Sequence, residues 1–288
     1  LVYTSLIAER FSRMDFAGRS LDMRRCHVMG VLNVTPDSFS DGGKFSTVDE
    51  ALSRAGSMVA EGASIIDVGG ESTRPGAAPV SAQEEVDRVC PVVERLVAEL
   101  DVVVSVDTSS AEVIRESTRL GAGLVNDVRA LTKPGALDAA VVAGVPVCLM
   151  HMQGQPADMQ DAPQYDRVVG DVSAFLGGRA KAVTAAGVPE DRIIIDPGFC
   201  FGKTLNHNLE LLAGLSEVML LGYPMLVGVS RKSMLGQITG RGVNERMPAG
   251  LAVATLAALA GTSIIRTHDV WQTLDAIRVV SFLRGKQS

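Results

Sequence analysis

Eight short apolar runs in this chain end in side chains that could do chemistry. The polar ends are Asn33, the stretch from Glu71 to Arg74, Asp107, Asn126, His151, Asp196, the stretch from Ser230 to Lys232, and the stretch from Arg266 to His268. Residues two apart in a strand point the same way, so Arg266 and His268 face together. A permanent cation beside a second donor suits a phosphate or pyrophosphate. It also suits a structural ion pair with a neighbouring carboxylate. Ser230-Arg231-Lys232-Ser233 opens a helical segment, where backbone N–H groups favour an anion or a heterocycle oxygen. The plainer reading of that tetrapeptide is a solvated helix cap.

Asp107, Asn126 and Asp196 each end a Val- or Ile-rich run. Burying a carboxylate is costly without partners. A carboxylate can accept two parallel hydrogen bonds, from an amino group and an adjacent ring N–H. That is the edge of a guanine-like or pterin ring. Metal binding and a polar network capping a barrel are the competing readings. No His/Asp/Glu cluster has the spacing of a catalytic zinc site. No Ser/His/Asp order or reactive-cysteine setting is visible. Thr73 and Arg74 could reach an anion, with Pro75-Gly76 making a sharp turn. Asp37, Phe39 and Asp41 lie in a long polar loop that reads as a lid or as plain surface. His151 is as well suited to a structural role as to a catalytic one.

These ends need elements that bring them to one place. Strands are expected over 27–33, 64–69, 102–107, 124–127, 147–151, 193–196, 225–229 and 263–268, with helical stretches between them. Thr47 with Glu50, and Ser81 with Glu84, fit capping boxes. Gly62, Gly121, Gly144, Gly187 and Gly261 fall where helices should stop. Eight strand-helix units predict an α/β fold, a single (β/α)8 TIM barrel whose polar strand ends share one mouth. A doubly wound sheet would place a glycine-rich phosphate turn after the first strand. That place holds Asn33-Val34-Thr35-Pro36-Asp37 instead. The expected organisation is an N-terminal extension over residues 1–24, forming a short hairpin across the barrel bottom, and the barrel over 25–288. The chain begins with Leu, and residues ahead of Met14 read as an upstream extension or a mis-set start.

At 288 residues with 47% apolar content, the core is ample for one such barrel. A formal net charge of -6 excludes a broad nucleic-acid footprint, though not a local anion site. Cys26, Cys90, Cys148 and Cys200 form no C-x-x-C pair or disulfide rhythm, which points to a reducing cytoplasm. The apolar run 251–260 is too short for a bilayer and reads as a core helix. Residues 1–12 lack the continuous apolar segment of a signal peptide. No membrane partner is expected.

Taken together, the segments resemble the dihydropteroate synthases of bacterial folate biosynthesis, from about His27 to the last helix. The specific parts are the glycine-flanked stretches 30–43 and 69–76, Asp196-Pro197-Gly198-Phe199, Ser230-Arg231-Lys232-Ser233 and Arg266-Thr267-His268-Asp269, in the family's order. The resemblance implies joining of 6-hydroxymethyl-7,8-dihydropterin pyrophosphate to 4-aminobenzoate, with Mg2+. It implies that Asp107, Asn126, Met150, Asp196 and Lys232 form the pterin pocket. Asn33 would ligate Mg2+ and pyrophosphate, and Arg74, Arg266 and His268 would clamp the pyrophosphate. Thr73, Pro75, Phe39, Phe201, Lys232 and Ser233 would border 4-aminobenzoate, with Asp37 and Phe39 on a closing loop. It further implies a homodimer and sensitivity to sulfonamides. One departure is Cys200, where the family commonly has glycine, and cysteine lacks glycine's freedom at positive φ. Two rivals share the pterin pocket: a pterin-binding methyltransferase domain and a non-catalytic paralogue. The first has no use for a pyrophosphate clamp. The second would be expected to have lost some of Asn33, Arg74, Lys232 or Arg266, all of which are present.

Overall fold

A computed structural model describes the chain over residues 12–35, 44–71, 80–155 and 158–285. Runs of Val, Ile and Leu uninterrupted by polar alternation form parallel strands, because helices cover their outer faces. A hairpin of β1 (Met14–Phe16) and β2 (Arg19–Leu21) comes first. Then follow β3 (His27–Asn33), α1 (Lys44–Ala60), β4 (Ile65–Gly69), α2 (Ala82–Glu99), β5 (Val103–Asp107) and α3 (Ala111–Arg119). The middle of the chain forms β6 (Leu124–Asp127), α4 (Ala136–Ala143), β7 (Val147–Met150), α5 (Val168–Ala185) and β8 (Ile193–Asp196). The last third forms α6 (Leu205–Ala213), α7 (Leu215–Val218), β9 (Leu226–Gly228), α8 (Ser233–Thr239), α9 (Met247–Ala260), β10 (Ile264–Thr267) and α10 (Val270–Gly285).

All eight expected barrel strands are present, with some ends trimmed. They pair in parallel in the order β8-β7-β6-β5-β4-β3-β10-β9. The ring closes where Ile195 of β8 bridges Met225, just ahead of β9, and the Ile195 amide donates to Pro224 O at 3.0 Å. The five glycines expected to stop helices all have positive φ, as a left-handed terminator requires. Ser81 caps α2, its Oγ accepting from the Glu84 amide at 3.2 Å. Thr47, expected at the start of a helix, lies inside α1, which is already under way at Lys44.

The period of two then sorts the interior. Met29, Ile65, Val103, Leu124, Cys148, Ile194, Leu226 and Ile264, one from each strand, are buried together at the lower end of the barrel. Met14 and Phe16 of the hairpin and Met23 after it pack into the same cluster. The expected plug across the barrel bottom is therefore present. Gly123 is required beneath it, since a Cβ there would stand 2.7 Å from the Phe16 carbonyl oxygen. Two residues further along each strand, the inward positions are Val31, Asp67, Ser105, Asn126, Met150, Asp196, Gly228 and Arg266. The lower layer is dry and the upper one is mostly polar.

Phe16 is among the largest buried side chains. Phe16→Ala should cost ~3–5 kcal/mol, as truncation of a buried aromatic does. Urea unfolding of the purified protein reads this directly, and an unchanged midpoint would mean that the hairpin adds nothing to barrel stability.

Candidate active site

The upper layer is organised around Asp67, a buried carboxylate in the middle of β4. Its Oδ1 accepts from Ser105 Oγ at 2.6 Å. Its Oδ2 accepts from Asn126 Nδ2 at 3.0 Å and from Arg266 Nε at 2.6 Å. Arg266 also donates through Nη2 to Asp107 Oδ2 at 2.9 Å. A buried charge persists when it is paired and its lone pairs are filled. Burial alone would lower the Arg266 pKa, but the Asp67 and Asp107 carboxylates outweigh it and hold the guanidinium firmly charged. Burial pushes the Asp107 carboxyl upward, with Arg266 pulling it the other way. So the structural ion pair is present, and it fixes the plane of Arg266 at the mouth.

A second group gathers at the end of β8. Asp196 is buried, and its Oδ1 accepts from the Gly198 amide at 2.7 Å. Burial raises its pKa, opposed by Lys232 and by that amide. Lys232 precedes α8, and Ser233 is the first residue of that helix. Lys232 Nζ donates to the Phe199 carbonyl at 2.8 Å and lies 4.7 Å from the Phe201 ring centroid. Burial lowers the Lys232 pKa, opposed by Cys200 and Asp196. Met150 ends β7 in register with Asp196 and is buried beside it.

Cys200 adopts φ +67, in the left-handed region that glycine occupies freely. Such a conformation costs of order 1 kcal/mol and persists when its surroundings over-determine it. Here the Cys200 amide donates to Asn208 Oδ1 at 2.7 Å, and its carbonyl accepts from Gln160 Nε2 at 2.6 Å.

At the rim, Ser230 Oγ accepts from the His268 amide at 3.2 Å and lies 3.0 Å from His268 Nδ1, which orients the ring. Arg231 turns away to pair with Asp269 at 2.8 Å. Asn33 and Asp107 flank Gly69 across three strands in register. A Cβ on Gly69 would stand 3.6 Å from Asn33 Oδ1 and 3.8 Å from Asp107 Oδ2. The bare glycine thus leaves space between two oxygen donors. Among the described residues, no three His, Cys, Asp or Glu side chains gather to hold a metal. An amide and a carboxylate oxygen suit a hard cation that takes its other oxygens from water and substrate phosphates, as Mg2+ does.

The structure brings Asp107, Asn126, Met150, Asp196, Phe201, Lys232 and Arg266 to one mouth, with Asn33, Ser233 and His268 at its rim. Asp37, Phe39, Thr73, Arg74 and Pro75 lie outside the described residues. Glu71, at the edge of that gap, pairs with Arg129 at 3.6 Å. His151, which ends the fifth apolar run, has its Nδ1 2.9 Å from the buried Lys203 Nζ. Attention to strand ends misses Asp67, Ser105 and Lys203. A visible signal for the first was a charge in the middle of Ile65-Ile66-Asp67-Val68.

A closed eight-stranded barrel with carboxylates and an amide aimed into its mouth defines an enzyme built to hold a hydrogen-bonding ring. A family model described as pterin binding enzyme matches residues 29–268. The dihydropteroate synthase of Escherichia coli K12 is 53% identical over 263 residues, covering 91% of this chain and 93% of the relative. That of Haemophilus influenzae is 49% identical over 261 residues, covering 91% and 95%. A Yersinia pestis dihydropteroate synthase solved with a sulfonamide drug complex superposes with TM-score 0.91 at 52% identity, covering 95% of this chain and 99% of the other. A Xanthomonas albilineans dihydropteroate synthase with 4-aminobenzoic acid superposes with TM-score 0.90 at 48% identity, covering 95% and 98%. The same organism's enzyme in complex with 7,8-dihydropteroate gives TM-score 0.85 at 42% identity, covering 95% and 98%. The chain belongs to the dihydropteroate synthase family of pterin-binding transferases.

Asp67→Asn keeps an acceptor and removes one of the two charges that Arg266 faces. Breaking a buried pair in this way should cost ~3 kcal/mol. Chemical denaturation at neutral pH checks it, and wild-type stability would show that Asp107 alone suffices to hold Arg266.

Proposed function

We propose that this chain condenses 6-hydroxymethyl-7,8-dihydropterin pyrophosphate with 4-aminobenzoate, giving 7,8-dihydropteroate and pyrophosphate. The observation that carries the reading is the bonded set Asn126–Asp67–Arg266–Asp107 beside Asp196 and Lys232. It offers acceptors and an amide to a pterin edge and a fixed cation to its leaving group. In this reading Asp107, Asn126 and Asp196 hold the ring edge, Met150 packs beside the ring, and Lys232 reaches it. Asp196 accepts two parallel hydrogen bonds, from the ring amino group and the adjacent N–H.

Arg74, Arg266 and His268 face the pyrophosphate. As the C–O bond breaks, negative charge grows on the leaving group, and preorganised cations lower the barrier. Two N–H groups of Arg266 are committed to carboxylates, which fixes its aim, and a guanidinium carries five. The electron-rich dihydropterin delocalises the cation left behind, and the aniline nitrogen of 4-aminobenzoate attacks it. Thr73, Pro75, Phe39, Phe201 and Ser233 border that second substrate. The loop with Asp37 and Phe39 closes over both and excludes water, which would otherwise capture the cation. Asn33 would hold Mg2+ together with pyrophosphate oxygens. The ion, when bound, adds positive charge beside the leaving group.

The chain is also proposed to act as a homodimer. Leu256 and Leu259 on α9, and Trp271, Val279, Phe282 and Leu283 on α10, are exposed on two helices packed against each other. Clustered apolar exposure of this kind marks an interaction surface. Four free cysteines suit a reducing compartment, here the cytoplasm. No described helix is long and apolar enough to cross a membrane. The methyltransferase reading gains no support from the relatives, which are dihydropteroate synthases.

Purified protein with Mg2+ and the dihydropterin pyrophosphate should release pyrophosphate in step with dihydropteroate formation once 4-aminobenzoate is added. Arg266→Ala should slow turnover at least ~100-fold, the scale of losing one preorganised charge-stabilising donor. Near-normal turnover in that variant would remove the clamp role. Sulfonamides, which mimic 4-aminobenzoate, should inhibit competitively; activity untouched at saturating drug would count against the proposed second-substrate site.

A further inference from the structure

Lys203 has no part in the reaction outlined above, yet it is one of the most buried cations in the protein, at 3% exposure. Its Nζ meets three acceptors: His151 Nδ1 at 2.9 Å, Gly198 O at 2.8 Å and Phe201 O at 3.1 Å. An ammonium has three donors, so every one is used. His151 belongs to the loop between β7 and α5, whereas the other two acceptors lie in the loop between β8 and α6. His151 can accept at Nδ1 only when neutral. Burial, and then the Lys203 charge, hold its pKa down to about 3, so it stays an acceptor at neutral pH.

The two loops meet elsewhere too. Tyr165 Oη donates to Gly202 O at 2.7 Å, and Gln160 Nε2 donates to Cys200 O. Gly198 and Gly202 let the backbones touch, since a Cβ on either would strike the carbonyl of His151 or Gln153. The loop so clamped presents the two groups that hold Lys232, the Phe199 carbonyl and the Phe201 ring. Lys203 closes the chain of contacts at its far end, where its own carbonyl accepts from Asn208 Nδ2, the residue that also holds Cys200.

We propose that Lys203 is a positioning residue for the second-substrate side of the site. It ties the β8–α6 loop to the β7–α5 loop and so sets the places of Phe201 and Lys232. An apolar side chain of the same length could fill the space, but it could not draw three acceptors from two loops to one point. Burial lowers the lysine's pKa to about 7, opposed by Asp196, with Lys232 and Cys200 also facing it. The inference rests on 4-aminobenzoate as the second substrate.

The test compares Lys203→Met with wild type by two readouts. Peptide-resolved hydrogen exchange over residues 197–204 needs no activity. It should quicken there at least ~10-fold, since losing even one of the three hydrogen bonds from a charged group is of that scale, while α9 and α10 stay as in wild type. In steady-state kinetics the KM for 4-aminobenzoate should rise ~10-fold, with the dissociation constant of the dihydropterin pyrophosphate moving less than about twofold. If Lys203→Met does not fold, His151→Leu removes one acceptor only and should raise the same KM, and His151→Asn, which keeps an acceptor, should bring it back. Unchanged exchange in a folded variant, or equal weakening of both substrates, overturns the proposal. A wild-type protein that forms no dihydropteroate defeats the functional reading instead, and the exchange result still decides the clamp.

Discussion

One carboxylate in the barrel interior, Asp67, constrains the rest of the site. The alternation of β4 gives it no choice: Ile65 must face the dry lower layer, so Asp67 faces the same interior two residues later. A carboxylate there needs donors, and they come from β5, β6 and β10 as Ser105, Asn126 and Arg266. These strands lie on both sides of β4 in the ring. The pair is therefore a tie across the barrel as well as a local contact. Its strength depends on the sealed layer below, since exclusion of water raises every electrostatic interaction above it. The hairpin plug and the charged mouth are two ends of one arrangement.

That arrangement explains the division of labour. Asp107, Asn126, Met150 and Asp196, proposed to meet the pterin, sit on strand ends, where the hydrogen-bonded ring limits their movement. Phe201, proposed to meet the second substrate, sits on a loop, and a loop needs its own bracing. Cys200 shows the cost of that bracing, held at positive φ by Asn208 and Gln160. Lys203 shows its means, a buried charge satisfied entirely by loop carbonyls and one imidazole. At Cys200 the backbone is kept in a geometry it would not choose alone.

Much of this was legible in the chain itself. Continuous Val and Ile runs, helix-stopping glycines and the polar residue after each run specify strands, spacers and a common mouth. These are local signals, because backbone preference and side-chain alternation act over a few residues. Asp107, Asn126, Asp196 and Lys232 were recognisable for the same reason: each stands where an apolar run stops. Thr47 fits a capping pattern yet lies within α1, because helix boundaries depend on contacts that such a pattern does not report. Cys200 was rightly suspect, since a side chain at a left-handed position is a local steric matter.

The sequence by itself determined the eight units, the barrel they make, the end at which chemistry sits, and the family to which the chain belongs. Tertiary structure decided who partners whom. Asp67 and Arg266 lie 199 residues apart, and Lys203 and His151 lie 52 apart. Nothing local to either member announces the other. Ring closure brings β10 beside β3 and places Arg266 within reach of β4 and β5. The physical reason is that burial makes a charge find partners, while topology alone settles which partners are within a hydrogen bond's reach.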